Sequence, residues 1–322
     1  MKKIGICLLT LCLAAGLTAC AGAEETTVRV NEVTHSVFYA PLYAGMELGF
    51  FAEEGLAPEL TNGGGADKVM TALLTDAADI GLAGPESCIY VWQEGREDYA
   101  VVFAQLTKRD GSFLVGREAK GSFDWEQLRG STVLGGRKGG VPEMTLEYVL
   151  RQHGLVPGED VNVDTSVQFN MMAGAFTGGS GDYVTLFEPT ATEVEREGRG
   201  VVLASLGQES GEIPYTAFFA LKSTLRDRPE LIDGFTRALR RSQTWVQEHS
   251  AAEIAEAIAP QFPDSDPELL TAVCQRHLDI DAWCAVPEMT KESFERLETV
   301  MRSAGELSEF ADFDAIVDNS RG

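Results

Sequence analysis

The sequence predicts an α/β chain of two similar lobes, each a parallel sheet with helices on both faces. Strand-like and helix-like segments alternate at short spacing from Val28 to Leu106, the pattern of a parallel sheet with crossover helices. The alternation falters among the glycines and charges of Lys108–Ser122 and then restarts, marking a lobe boundary. Two stretches also echo one another: VMTALLTDAADIGLAGPES over Val69–Ser87 and MMAGAFTGGSGDYVTLFEP over Met171–Pro189. In each, an apolar helix leads to Thr75 or Thr177, a small polar turn, Asp79 or Asp182, a buried strand and a Glu beside a Pro. Weak repetition of this kind marks two like lobes rather than a solenoid. If both strands point into one cleft, Glu86 and Glu188 approach a shared ligand from opposite sides.

In chain order, Val28–Val33 alternates polar and apolar residues and reads as the first strand. It feeds a polar and aromatic turn and an amphipathic helix within Thr34–Leu56, whose Tyr39, Leu42, Tyr43, Met46 and Phe50 fall at steps of three or four on one continuous face. Gly55, Leu56 and Pro58 close that helix, with Gly55 suited to the left-handed C′ position. Further strands are expected at Ala57–Thr61, Asp79–Gly84, Tyr99–Leu106, Phe113–Val115, Ser131–Gly135, Val161–Val167, Tyr183–Phe187 and Val201–Leu206. Helices are expected around Val69–Leu74, Glu86–Trp92, Pro142–His153 and Met171–Phe176. Ala217–Leu221 is expected to return to the first lobe, and the remainder reads as helical from Pro229 onward. The lobes are therefore placed at 28–115 with 212–322, and at 116–211.

The first residues read as an address. Lys2 and Lys3 precede the apolar run Ile4–Leu17, a secretory-signal layout too short for a membrane span. Leu17-Thr18-Ala19-Cys20 resembles the bacterial lipobox, which implies removal of residues 1–19, a lipid on Cys20 and a tether over 20–27. The expected location is extracytoplasmic, anchored by that lipid to the cell membrane. The remaining 303 of 322 residues suit two ordinary lobes. Losing Lys2 and Lys3 takes the net charge from -24 to -26, a surface that repels nucleic acid and anionic lipid. A small anionic ligand is not excluded, because a buried site is governed by the groups that line it. Cys88, Cys274 and Cys284 remain after the signal and the lipid site, and the Cys274 and Cys284 spacing allows a bridge without requiring it. With no CxxC or HExxH and with His35, His153, His249 and His277 scattered, neither a metal nor a cofactor is expected.

The candidate chemistry starts at the carboxyl end of the first strand, where open α/β sheets bind ligands. Thr34, His35, Phe38 and Tyr39 lie there. His35 reads either as a ligand contact or as a loop side chain satisfied locally, and Phe38 and Tyr39 as rings for stacking, while Tyr43 belongs to the core face. Gly135, Gly136, Arg137, Lys138, Gly139 and Gly140 precede Pro142 at a helix start whose free amides attract an anion or a polar oxygen. The loop fits neither the P-loop nor GxGxxG. Glu143 in the first turn already complements the helix dipole, and Arg137 is placed to pair with it or with a ligand carboxylate or phosphate. Glu86 and Glu188 read as a carboxylate pair or, taken singly, as helix N-terminal acids. With no GxSxG and no catalytic cysteine signature, recognition is favoured over catalysis.

These segments resemble a known family. The strand and turn through Thr34 and His35, YAPLYAGMELGFFAEEGL, ALLTDAADIGLAG, LRGSTVLGGRKGGVPE and the helical tail, behind a lipobox, are similar to the substrate-binding lipoproteins of bacterial ABC importers called NMT1/THI5-like or SsuA-like, the nitrate, sulfonate and thiamine-precursor group. The resemblance implies a type II periplasmic-binding-protein fold, two α/β lobes with a hinge and a ligand cleft between them, acting as a monomer with a permease and ATPase complex. It places ligand contacts at Thr34, His35, Phe38 and Tyr39, at Glu86 and Ser87, at Gln105, at Arg137 and Glu143 in the glycine loop, at Asn170 and at Glu188. Aromatic rings with Glu86, Glu143 and Glu188 suit a neutral or cationic ring bearing amino groups, such as a thiamine-precursor pyrimidine. Arg137 and Lys138 argue for a sulfonate, nitrate or other small anion. The yeast-type pyrimidine synthases share the resemblance but carry a CCCFC signature that is absent here, so an enzyme is not expected.

Overall fold

The computed structural model describes residues 25–119 and 121–322; the signal segment and Cys20 lie outside them. Among the described residues ten strands form: β1 (Thr26–Glu32), β2 (Leu56–Asn62), β3 (Ile80–Ala83), β4 (Ala100–Thr107), β5 (Ser112–Gly116), β6 (Thr132–Leu134), β7 (Asn162–Asp164), β8 (Tyr183–Phe187), β9 (Val201–Ser205) and β10 (Thr216–Leu221). They build two five-stranded sheets, ordered β2-β1-β3-β10-β4 and β7-β6-β8-β5-β9. The sheets are mixed rather than parallel throughout. β10 runs antiparallel to β3 and β4 in the first, and β5 runs antiparallel to β8 and β9 in the second. Each sheet thus contains one strand delivered by a crossing from the other lobe.

β10 returns to the first sheet as expected. β5 pairs in the second sheet, so the first crossing runs through residues 108–111, ahead of the boundary placed at 115. Every residue of β5 is buried, and an apolar run carries no mark of which sheet it will join. The two crossings pair with each other, Ile213 N donating to Lys108 O at 2.9 Å and Tyr215 N to Thr107 O at 3.1 Å. A third segment joins them: Lys108 N donates to Ala282 O at 2.9 Å and Cys284 N to Leu106 O at 3.0 Å. The hinge is a three-stranded strap.

The internal echo has a structural basis. β3 and β8 hold the same central place in their sheets. Arg29 N donates to the Asp79 carboxylate at 2.9 Å and Asp79 N to Arg29 O at 2.9 Å. Thr132 N donates to the Asp182 carboxylate at 2.8 Å and Asp182 N to Thr132 O at 2.8 Å. In both lobes an Asp fifty residues downstream accepts from a main-chain amide of the neighbouring strand, within β1 in one lobe and at the start of β6 in the other.

Two expectations are corrected. The helix expected through Phe50 is split: a 3-10 turn Val37–Tyr39 leads to a helix Ala40–Glu47, Gly49 adopts φ +78°, and a short turn Phe50–Glu53 follows. The break shifts the phase, so Phe51 rather than Phe50 enters the core, its ring 4.8 Å from Phe235, while Phe50 lies under the Arg241 guanidinium. The helix packs closely on Pro229–Glu248 because Gly45 has no side chain; a Cβ there would stand 2.8 Å from Phe51 and 3.1 Å from Ser242. The strand expected over Val161–Val167 shortens to β7, because the Asp164 carboxylate accepts from Ser166 N at 2.8 Å and Ser166 Oγ at 2.6 Å and turns the chain. Cys88, Cys274 and Cys284 are all free and buried, so the bridge left open between the last two is not formed.

The echoed aspartates differ in burial, which sets a test. Asp79 is buried under Arg29 and Arg228, whereas Asp182 is exposed. Asp79→Ala is expected to cost about 2 kcal/mol, because it leaves a strand amide unpaired and removes the carboxylate shared by two partly exposed guanidinium groups. Asp182→Ala should cost about 1 kcal/mol, and urea midpoints read the difference.

Candidate functional site

The carboxyl ends of β1 and β3 face those of β6 and β8 across the cleft. On the first wall, Ser36 Oγ accepts from Phe38 N at 3.2 Å and caps the turn Val37–Tyr39. This turn buries Phe38 and Tyr39. The Phe38 ring lies 5.9 Å from Phe187 of the opposite lobe, 5.8 Å from Tyr215 and 5.3 Å from His277. Gly111 of the first crossing presses on it, since a Cβ there would stand 2.5 Å from the ring.

Glu86 opens the helix Glu86–Gln93 behind β3 and is 3% exposed. Its carboxylate folds back over Gly84, where a Cβ would stand 2.0 Å from Oε2, and among the described residues Oε2 has no hydrogen-bond partner. Burial pushes the Glu86 carboxyl up to about 7, against the pull of the backbone amides of Glu86, Val141 and Ser87 and of Arg137. The Val141 amide belongs to the start of the helix Val141–Gln152 on the far wall. The Glu86 carboxylate therefore reaches toward the other lobe's helix terminus.

On that far wall Gly139 N donates to Glu143 Oε2 at 3.1 Å. Burial pushes the Glu143 carboxyl up to about 7, helped by repulsion from Glu147 and Glu306 and opposed by the Gly139 amide. Tyr90 OH donates across the cleft to Gly139 O at 2.9 Å. At the end of β8, the Glu188 carboxylate accepts from Thr192 N at 2.9 Å, Thr192 Oγ1 at 2.8 Å and Arg276 at 2.8 Å. Its carbonyl accepts from Ser36 Oγ at 3.0 Å.

The hinge supplies the floor. Asp110, fully buried on the first crossing, accepts from Ser112 N at 2.6 Å. Burial pushes its carboxyl up to about 7, with Ser112 and Tyr215 opposing. Burial raises the pKa of the Tyr215 hydroxyl, reinforced by the neighbouring Asp110, Tyr39 and Glu86.

Of the residues expected from sequence, Phe38, Tyr39, Glu86 and Glu143 come together in this cleft. Glu188 stands on its wall, but its carboxylate is committed to Thr192 and Arg276. Ser87 Oγ donates to Gly84 O at 2.7 Å within its own turn. His35 takes the locally satisfied alternative: its ring nitrogens meet Glu32 Oε1 at 2.8 Å and Gln261 O at 3.0 Å, tying the end of β1, with half-buried Thr34 beside it, to the helical tail. The Glu32 hydrogen bond raises the His35 pKa. Gln105 is buried within β4, where its side-chain Nε2 donates to Thr107 O at 3.0 Å and its main-chain carbonyl accepts from Gln243 Nε2 at 2.7 Å. Arg137 is half exposed and pairs across the cleft with Asp67 at 2.9 Å. Asn170 is exposed at the cleft edge beside Phe169, whose ring lies 5.5 Å from Phe187. Sequence reasoning missed Asp110, Tyr215 and Arg276, which no local motif marks. The hinge crossing of Asp110 and the faltering pattern around it were the only signal.

Two α/β lobes of this strand order, joined by two crossings, define the type II periplasmic-binding-protein fold. The chain belongs to the NMT1/THI5-like family, whose model matches residues 37–253. YtlA of Bacillus subtilis (strain 168) is 43% identical over 312 residues, covering 97% of this chain and 93% of that protein. The alkanesulfonate-binding protein SsuA of Xanthomonas axonopodis pv. citri, bound to MOPS, superposes with a TM-score of 0.73 at 13% identity over 92% of this chain and 99% of its own. The nitrate-binding protein NrtA of Synechocystis PCC 6803 gives 0.69 at 16% identity, covering 92% of this chain and 87% of that one. The desulfurization enzyme DszB gives 0.62 at 16%, covering 91% and 96%, so the fold also carries catalysis elsewhere.

The buried Glu86 makes stability fall with pH. Below about 4.5, its ordinary value, folded and unfolded chains both hold the proton; between there and about 7 only the unfolded chain ionises. Raising the pH through this window removes up to roughly 3 kcal/mol. In Glu86→Gln the melting temperature should fall less between about pH 5 and 8 than in the parent, as scanning calorimetry would show.

Proposed function

We propose that the protein is an extracytoplasmic solute receptor that delivers a small amino-bearing aromatic heterocycle, such as a thiamine-precursor pyrimidine, to an ABC importer. One observation carries the ligand class: the helix terminus suited to an anion is already met by the chain's own carboxylates, Glu143 at the Gly139 amide and Glu86 toward Val141. A sulfonate or nitrate entering there meets Glu86, Glu143 and Asp110. Arg137 is half exposed and paired with Asp67, and Arg276 is held by Glu188 and Glu195. A ring bearing amino or protonated ring nitrogens instead supplies the donor that Glu86 Oε2 lacks. Phe38, Tyr39, Phe187 and Tyr215 offer faces for it.

Anchoring through a lipid on Cys20 belongs to the same proposal and rests on the lipobox resemblance. Family membership supports the importer partnership, and closure of the lobes on cargo gives the permease a shape to sense. Binding is favoured over catalysis because His35 is engaged by Glu32 and Gln261, and the buried His277 beside Phe38 makes no hydrogen bond to a nucleophile among the described residues.

Isothermal calorimetry with an aminopyrimidine of the thiamine-precursor type and with an alkanesulfonate tests this reading. The aminopyrimidine should bind, and Glu86→Ala should weaken it by at least about tenfold through loss of a charge-assisted hydrogen bond. Binding of the alkanesulfonate alone, or an unchanged affinity in Glu86→Ala, would overturn the reading.

A further inference from the structure

The turn that carries the first crossing into β5 holds more acid than a turn requires. Asp110 Oδ1 accepts from Ser112 N at 2.6 Å, the side-chain-to-backbone closure that favours Asp or Asn at such a place. That role uses one oxygen, and Asn would fill it without burying an ionisable group. Asp110 brings a second oxygen, Oδ2, to a position where the residue is 0% exposed and where Oδ2 has no hydrogen-bond partner among the described residues. The turn is fixed from behind: a Cβ on Gly207 would stand 2.2 Å from Asp110 O, so the helix Leu206–Ser210 packs directly against this backbone.

Two hydroxyls converge on the same carboxyl. Ser112 opens β5 and Tyr215 ends the second crossing, and both lie close enough to act on Asp110. Ser112 Oγ and Tyr215 OH are buried as well, and neither finds a partner among the described residues. Three oxygens, drawn from both crossings, therefore gather with none of them paired. The cluster borders the aromatic part of the cleft, because the Tyr215 ring lies 5.8 Å from Phe38 and 6.0 Å from Phe187 of the second lobe. The Tyr215 hydroxyl also neighbours Glu86.

We propose that Asp110, Ser112 and Tyr215 form a second recognition point in the cleft, one that binds a primary amine carried on an arm of the cargo ring. The inference rests on the reading of the cargo as an amino-bearing heterocycle, and adds an aminomethyl-type arm distinct from the edge that meets Glu86. A primary ammonium has three N–H donors and no acceptor, which matches three unpartnered oxygens, one of them on an acid. Its charge is answered by Asp110 and by the faces of the neighbouring rings. A hydroxyl arm brings a single donor, and a methyl arm brings none and leaves all three oxygens buried and unpaired.

Isothermal calorimetry on the full chain tests this with three aminopyrimidines that differ only in one arm: aminomethyl, hydroxymethyl or methyl. The aminomethyl compound should bind at least about tenfold more tightly than the methyl compound, with the hydroxymethyl compound between them. Asp110→Asn, which keeps the acceptor for Ser112 N, should bring the aminomethyl and methyl affinities to within about twofold of each other. A general loosening of the cleft would weaken both compounds and leave their ratio in place. Tyr215→Phe keeps the ring, should narrow the ratio by a smaller factor, and serves in place of Asp110→Asn should that variant fold poorly. Equal affinity for the aminomethyl and methyl compounds in the parent, or the parent's ratio retained in the variants, overturns this inference alone. Binding of none of the three compounds overturns it together with the heterocycle reading.

Discussion

The cleft buries more carboxyl groups than it pairs, and much of the structure answers that imbalance. Glu86, Glu143 and Asp110 are each at most 3% exposed, and burial raises each carboxyl to about 7. A carboxylate in such a place is paired, protonated or costly. Amides answer part of the demand, Gly139 for Glu143 and Ser112 for Asp110. Glu86 retains an oxygen without a hydrogen bond among the described residues. A ligand that brings donors into this space relieves the cost, and one that brings acceptors adds to it.

The hinge makes that selectivity depend on shape. Phe38 is wedged between Gly111 of one crossing and Tyr215 at the end of the other, and touches Phe187 across the cleft, so the aromatic floor forms only when the lobes meet. The crossings are tied to each other and to the 281–284 segment, which limits the motion to rotation about a strap. Within that geometry Glu188 is engaged between the lobes, its carboxylate taken by Arg276 and Thr192. The symmetrical arrangement of Glu86 and Glu188 around cargo, suggested by the internal echo, becomes asymmetrical: one carboxylate faces the cleft and the other is paired.

Features governed by local pattern were legible in the amino-acid sequence. The Asp79 and Asp182 echo marked equivalent strands, and Gly55 ended its turn with φ +71° as its position suggested. Features governed by distant pairing were not. The all-buried β5 could have joined either sheet. Gly49 broke a helix whose apolar period ran unbroken through it, because Phe51 had a place against Phe235. His35 stood beside the expected site but was claimed by Glu32 and Gln261, the latter 226 residues away. Arg276 sits in a helix that reads as ordinary scaffold, and its meaning comes from Glu188 and Glu195, more than eighty residues earlier.

The most direct test of the charge argument is mass spectrometry of the small molecule that co-purifies with the folded protein. The account predicts an ultraviolet-absorbing nitrogen heterocycle bearing amino groups, at close to one per chain. A sulfonate, nitrate or other small anion recovered in that proportion would contradict it.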